Sequence, residues 1–207
     1  MAVRPIIRAG DPVLSQVAAP VADPTADDVA LLVADMIDSL HAVGGGGLAA
    51  PQIGVSQRVV IYFTSAARIT DWPDDGAIGM TVLVNPELEP LGDDAWTDWE
   101  GCLSMPAMRG RVPRWKRMRL TATDLDGRTT TRVIGGKQAR TVQHECDHLD
   151  GRLYPTRMTD TASLGYLDEL VRAGQVPSYT PNKPVEYLRG QDALIARLKR
   201  VGRSWAL

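Results

Sequence analysis

Histidine is scarce in this chain, with three in 207 residues, and phenylalanine occurs only once. Cysteine occurs twice, too seldom to staple a domain of this size. In a chain that opens on M-A-V-R-P-I-I-R-A-G-D, without the apolar core of a secretory signal, such cysteine usage predicts a reducing, cytoplasmic setting. Thiols there serve as ligands or core residues more often than as disulfides. No stretch approaches the roughly 18 uninterrupted apolar residues of a membrane span. The formal charge is -2 with both signs interspersed, so nothing favours an anionic membrane surface or sequence-specific nucleic-acid binding. The basic R-L-K-R-V-G-R near the C-terminus is short and reads as a solvated helix face. What the chain does have, 44% hydrophobic residues, suffices to bury one core of ordinary size.

Two of the three histidines stand four residues apart in T-V-Q-H-E-C-D-H-L-D-G, residues 141 to 151. On an α-helix each residue advances about 100°, so His148 lies about 40° round from His144 and one turn along. Glu145 falls about 60° from His148 on the same side. Cys146, about 200° from His144, points away. H-E-x-x-H on a helix is the arrangement of a metal-dependent hydrolase, with two neutral imidazoles as ligands and the carboxylate as general base. A shuffled chain with three His and six Glu would match it on the order of 0.001 times, so chance is a poor explanation. The motif alone does not separate a catalytic from a structural metal.

Around it the pattern predicts short elements. Residues 24 to 42 read as a helix, with Asp23 or Thr25 as cap and Val29, Leu32, Val33, Met36 and Leu40 as its apolar stripe. His41, near its end, reads as a solvated residue stabilised by the helix dipole rather than a ligand. R-V-V-I-Y-F-T and M-T-V-L-V-N-P read as strands, and residues 91 to 100 as an acidic loop. R-M-R-L-T-A-T-D-L-D-G-R-T-T-T-R-V alternates as a hairpin does. Gly135 and Gly136 open the histidine helix and Gly151 closes it. Thr161 to Ala173 and Val185 to Val201 read as helical, separated by the linker P-S-Y-T-P-N-K-P.

A catalytic site of this kind takes three protein ligands. The extension H-E-x-x-H-x-x-G-x-x-H fails here, because Gly151 matches but Tyr154 occupies the last position. Glu169, Glu186 and Cys102 remain as third ligands. Cys102 also reads as a small buried residue or as a disulfide partner of Cys146.

G-G-G-L-A-A-P-Q at 45 to 52, E-G-C-L-S at 100 to 104 and Q-H-E-C-D-H at 143 to 148 resemble, in that order, the three signature motifs of the peptide deformylases. The resemblance covers about residues 5 to 160. It implies that Cys102, His144 and His148 bind one divalent metal ion, Fe(II) first, with Zn(II), Ni(II) and Co(II) compatible. It implies Glu145 as the catalytic acid and base, with Gln52 and the Leu103 backbone N–H polarising the formyl oxygen. The substrate would be an N-formylmethionyl peptide or nascent chain, with the ribosome surface as a candidate partner. Gly45, Gly46 and Gly47 would run beside the substrate backbone like an added strand, and Arg109 resembles a further substrate contact, though a solvated arginine is its plain alternative. Two positions depart from the pattern. Gly46 replaces a β-branched wall of the methionine pocket, and Thr141 stands where relatives are commonly apolar.

The expected architecture is a single-domain α+β fold, with short, mainly antiparallel strands around the H-E-x-x-H helix, an N-terminal helix and a helical C-terminal tail. Residues 1-160 form the catalytic domain, and 161-207 an extension that is not a separate domain. The rival functions are a metalloendopeptidase with a carboxylate third ligand and a non-enzymatic module stapled by metal.

Overall fold

The computed structural model describes residues 3–177 and 184–205. Its elements run α1 (Asp27–Val43), β1 (Gly47–Ala49), β2 (Val59–Thr64), β3 (Ile78–Pro90), β4 (Ala95–Cys102), β5 (Met105–Trp115), β6 (Arg117–Thr123), β7 (Thr129–Gly135), α2 (Gly136–Leu149), β8 (Gly165–Tyr166), α3 (Leu167–Arg172) and α4 (Asp192–Arg200). One antiparallel sheet has the order β1-β2-β3-β6-β7, and a second has the order β4-β5-β8. The fold is α+β, as expected.

β2 shows why the larger sheet sits at the centre. Its six residues are all buried, and strand alternation sends them to opposite faces. Val59, Ile61 and Phe63 join the core beneath α1, while Val60 and Tyr62 join the core beneath α2. A strand covered on both faces must be apolar throughout, which explains the unbroken run V-V-I-Y-F. The smaller sheet contributes a third core, in which Cys102, Val112 and Tyr154 meet.

The start of α2 is held from a distance. Its N-cap residue is Gly135, which has no side chain to cap with. Asp75 does this instead, accepting the Lys137 N–H at 3.0 Å and the Gln138 N–H at 3.1 Å. A carboxylate at a helix N-terminus satisfies orphan donors and favours the helix dipole. The histidine helix is thereby anchored at the end from which its ligand turns follow.

Several boundaries differ from expectation. α1 begins at Asp27, because Asp23 spends its carboxylate on Thr25 N and Oγ1 and Ala26 becomes the N-cap. Residues 95 to 100 are strand rather than loop: β4 pairs with β5 from Ala95–Trp115 to Cys102–Met105. Cross-strand pairing outweighs the acidic composition there. Residues 161 to 173 are helical only in α3 and a 3-10 turn, since Gly165 and Tyr166 pair with Arg109 and Met108. Only the two end prolines of the linker at 177 to 184 fall within the described residues.

The second tail helix is likewise split into a 3-10 turn at Pro184–Leu188 and α4. This tail packs on the body. Leu188 and Leu198 are fully buried in the α1 core, and the Tyr187 ring stacks on Phe63 with centroids 3.8 Å apart. Arg197 Nη1 donates to Asp27 at 2.9 Å, Arg203 Nη2 to Asp35 at 2.6 Å, and Trp205 Nε1 to Asp38 at 2.7 Å. α1 is therefore covered on its acidic side as well as its apolar side.

Candidate active site

α2 and the end of β4 bring together Cys102, His144 and His148, whose donor atoms all lie within 4.8 Å of one another. Cys102 Sγ is 3.4 Å from His148 Nε2. A tetrahedral ion bound at about 2.0–2.3 Å separates its ligands by roughly 3.4–3.8 Å, so this trio fits one with little adjustment. Burial holds His148 well below the ordinary histidine range, keeping it the neutral imidazole that a metal requires. Its Nδ1 is buried without a hydrogen-bond partner in the structure. Glu169 is exposed and bonded to Arg172, and Glu186 is exposed, so neither competes for the third position. Both cysteines are free thiols; Cys146 faces the apolar core under α2.

His144 is oriented by Glu100. Glu100 Oε2 stands 2.9 Å from His144 Nδ1, leaving the other ring nitrogen toward Cys102. Burial alone would push the Glu100 carboxyl upward, yet hydrogen bonds from His144 and Arg114 hold it well below the usual range. As an ionised carboxylate it accepts only, which assigns the proton to His144 Nδ1. Arg114 grips it with Nε at 2.9 Å and Nη2 at 3.0 Å, and Arg140 adds Nη1 at 2.6 Å. Arg114 also reaches Asp147, which pairs in turn with Arg157. A buried charge network of this density is stable only because each member is answered.

Glu145 enters the same cleft from α2. It is buried, its Oε2 has no partner, and burial pushes its pKa up to about 7. Its carboxylate lies directly against Gly47: a Cβ there would stand 2.6 Å from Oε1. Any side chain at 47 would displace the acid. Gly45 is similarly pressed on Leu40 and Leu103. Gln52 is fixed at both ends, its Oε1 accepting the Ala49 N–H at 2.9 Å while Nε2 points to Cys102 Sγ at 3.5 Å and Ser104 Oγ at 3.3 Å. Its amide hydrogens therefore face the ligand trio.

Gly45, Gly46, Gly47, Gln52, Cys102, Leu103, Arg109, Thr141, His144 and Glu145 all line one cleft of about 850 Å³. His148 sits behind its wall, 1% exposed. The residues that sequence reading missed are those of the support: Glu100, Arg114, Arg140, Asp147 and Ser104. Glu100 directly precedes the G-C pair and could have been singled out there. The arginines carry no signal, because a buried ion pair between residues 14 or 40 apart looks in sequence like two solvated charges.

Known proteins of one family resemble this chain over most of its length. A model of the family described as polypeptide deformylase matches residues 3–163. Peptide deformylase 1 of Nitrosomonas europaea is 46% identical over 168 residues, covering 81% of this chain and 94% of its own. Peptide deformylase 2 of Ralstonia nicotianae shows the same identity and coverage. Among solved structures, a class I type b peptide deformylase from Acinetobacter baumannii with Met-Ala-Ser bound superposes with a TM-score of 0.68 at 33% identity, covering 76% of this chain and 100% of its own. The chain belongs to the polypeptide deformylase family, metal-dependent hydrolases that remove the N-formyl group from formylmethionine at the start of nascent polypeptides and release formate.

Proposed function

We propose that Cys102, His144 and His148 hold the metal and that Fe(II) is the native ion. The donor set supports this: one thiolate and two imidazoles form a site soft enough for iron while remaining compatible with Zn(II), Ni(II) or Co(II). When bound, a divalent ion supplies Lewis-acid polarisation and makes water acidic enough to be a nucleophile near neutral pH. Glu145 takes the proton that the attacking water loses and delivers it to the amine as the formyl C–N bond breaks. Gln52 Nε2 and the Leu103 backbone N–H donate to the formyl oxygen as charge develops on it. Gly45, Gly46 and Gly47 line the peptide's path, with β1 offering an edge for a strand-like substrate. Arg109 contacts the peptide further along, beside Gly101.

The same reading takes residues 1–160 as the catalytic domain and 161–207 as an extension of it, supported by the burial of Leu188 and Leu198 in the α1 core. No helix among the described residues is long and apolar enough to cross a membrane. A cytoplasmic setting, with the nascent chain met at or near the ribosome, suits that substrate.

The observation that carries the site assignment is the convergence of Cys102 with both histidines while Glu145 stands unpartnered beside them. The test is anaerobic purification, metal analysis and assay of formate release from a formyl-Met peptide. Glu145→Ala should keep near-stoichiometric metal yet lose at least about 10²–10⁴-fold in kcat. Cys102→Ala should bind metal poorly, with residual activity tracking added metal. Cys146→Ser is the control and should keep both metal and turnover. Loss of metal from the Cys146 variant but not from the Cys102 variant would overturn the ligand assignment.

A further inference from the structure

Four successive glycines, 44 to 47, bring no side chains with which to anchor themselves along the cleft, and glycine backbone has the widest conformational freedom. They are held from outside. Gly45 is pressed on Leu40 of α1 and Gly47 on the Glu145 carboxylate of α2, where an added Cβ would stand 2.9 and 2.6 Å away. Gly46 has no such close neighbour: among the described residues a Cβ there would meet only Arg68 Nη1, at 3.7 Å. Its fixing is a backbone bond, in which Gly46 O accepts the Phe63 N–H at 3.0 Å. Strand alternation then turns the N–H and C=O of Gly47 away from β2, to the outer side of β1 at the end of its sheet. An extended peptide would pair along that side.

Phe63 itself stands at a weak point of the sheet. β2 pairs with β3 at Tyr62–Thr81 and again at Thr64–Ile78, so Phe63 is opposed by two residues, Gly79 and Met80, in a β-bulge. The regular ladder that would fix its backbone is interrupted there. The 3-10 turn at Pro184–Leu188 sits over the interruption. Its Tyr187 ring stacks on Phe63 with centroids 3.8 Å apart and planes 20° from parallel. At Gly79 a Cβ would stand 3.1 Å from Tyr187 O and 2.3 Å from Gln191 Nε2, so the tail is seated directly on the bulge. Leu188, buried in the α1 core, anchors the turn that carries the ring. The tail thus backs the residue whose N–H holds Gly46.

We propose that Tyr187 is a positioning residue for the peptide: by stacking on Phe63 it steadies the N–H that holds Gly46, and so keeps β1 in place to receive an extended substrate. The inference rests on the reading of this glycine strip as the peptide's path. Tyr187 lies outside the cleft lining, and pairing along β1 is the same before and during bond cleavage. The effect therefore falls on KM rather than kcat.

The experiment measures KM and kcat for formate release from formyl-Met-Ala-Ser, together with metal content and chemical denaturation, on the metal-loaded full chain. Tyr187→Ala should raise KM about three- to ten-fold, the worth of a lost aromatic pair, with kcat and metal content unchanged. Tyr187→Phe keeps the ring and should keep the original KM. Leu198→Ala should lose stability, as a purely structural contact would, yet leave KM alone because the stack remains. An unchanged KM in Tyr187→Ala, or a rise shared equally by Tyr187→Phe or Leu198→Ala, would overturn this inference and leave the deformylase site untouched. A fall in kcat or metal content in Tyr187→Ala would overturn it likewise. No formate from the intact protein would overturn the reading of the cleft itself, and this inference with it.

Discussion

Two buried carboxylate clusters occupy opposite parts of this molecule. Behind the ligand trio, Glu100 and Asp147 are gripped by Arg114, Arg140 and Arg157, and Glu100 passes its influence on to His144. On α1, Asp35 and Asp38 are met by Arg4, Arg203 and the Trp205 indole. The chemistry is the same, carboxylates answered by donors out of water, but the consequences differ. The first cluster joins β4, β5 and α2, all within the matched family region, and terminates on an imidazole ring. The second joins α1 to a tail beyond that region and terminates on nothing reactive. Ion pairs acquire a functional role from what they touch next.

The largest effect should follow from breaking the first cluster. Glu100→Gln leaves two buried arginines short of a charge and frees His144 to rotate. It should cost about 3–5 kcal/mol of stability and weaken metal affinity about 10–100-fold. Chemical denaturation with metal titration checks both, and unchanged metal affinity would remove Glu100 from its positioning role. Next comes the tail. Leu198→Ala opens a cavity in the α1 core and should cost about 2–5 kcal/mol in the same denaturation assay, with metal content and kcat retained at temperatures where the variant is folded. A mobile, undocked tail would show almost no change. The smallest effect is expected from Arg203→Ala, which leaves Asp35 with Arg4 and Asp38 with Trp205; a loss of about 1–2 kcal/mol with normal turnover is predicted. If Arg203→Ala weakened metal affinity as Glu100→Gln should, the division between the clusters would collapse.

Much of this was legible in advance because helix geometry is local. His144, Glu145 and His148 share a face whatever surrounds them, and V-V-I-Y-F announces a buried strand. The hairpin β6–β7 was readable from D-L-D-G between alternating residues. β4 was not, because its acidic composition suits a loop and its pairing with β5 depends on a partner that composition does not reveal. The start of α1 was misplaced for a related reason, since Asp23 could cap the helix or close its own turn, and local sequence does not rank the two. The tail's docking was not legible, because Arg197 and Arg203 belong to a short basic run that reads as a solvated helix face until their partners on α1 are known.

The sequence by itself determined the ligand spacing, the acid beside it and the family motifs, since these follow from periodicity and order along one chain. Only the tertiary structure decided that Asp75 would cap the histidine helix, that Arg114 and Arg140 would brace Glu100, and that Arg68 would stand over Gly46. Each of those contacts joins residues 14 to 63 positions apart, and such pairings are set by how sheets and helices pack, information that no local window of sequence contains.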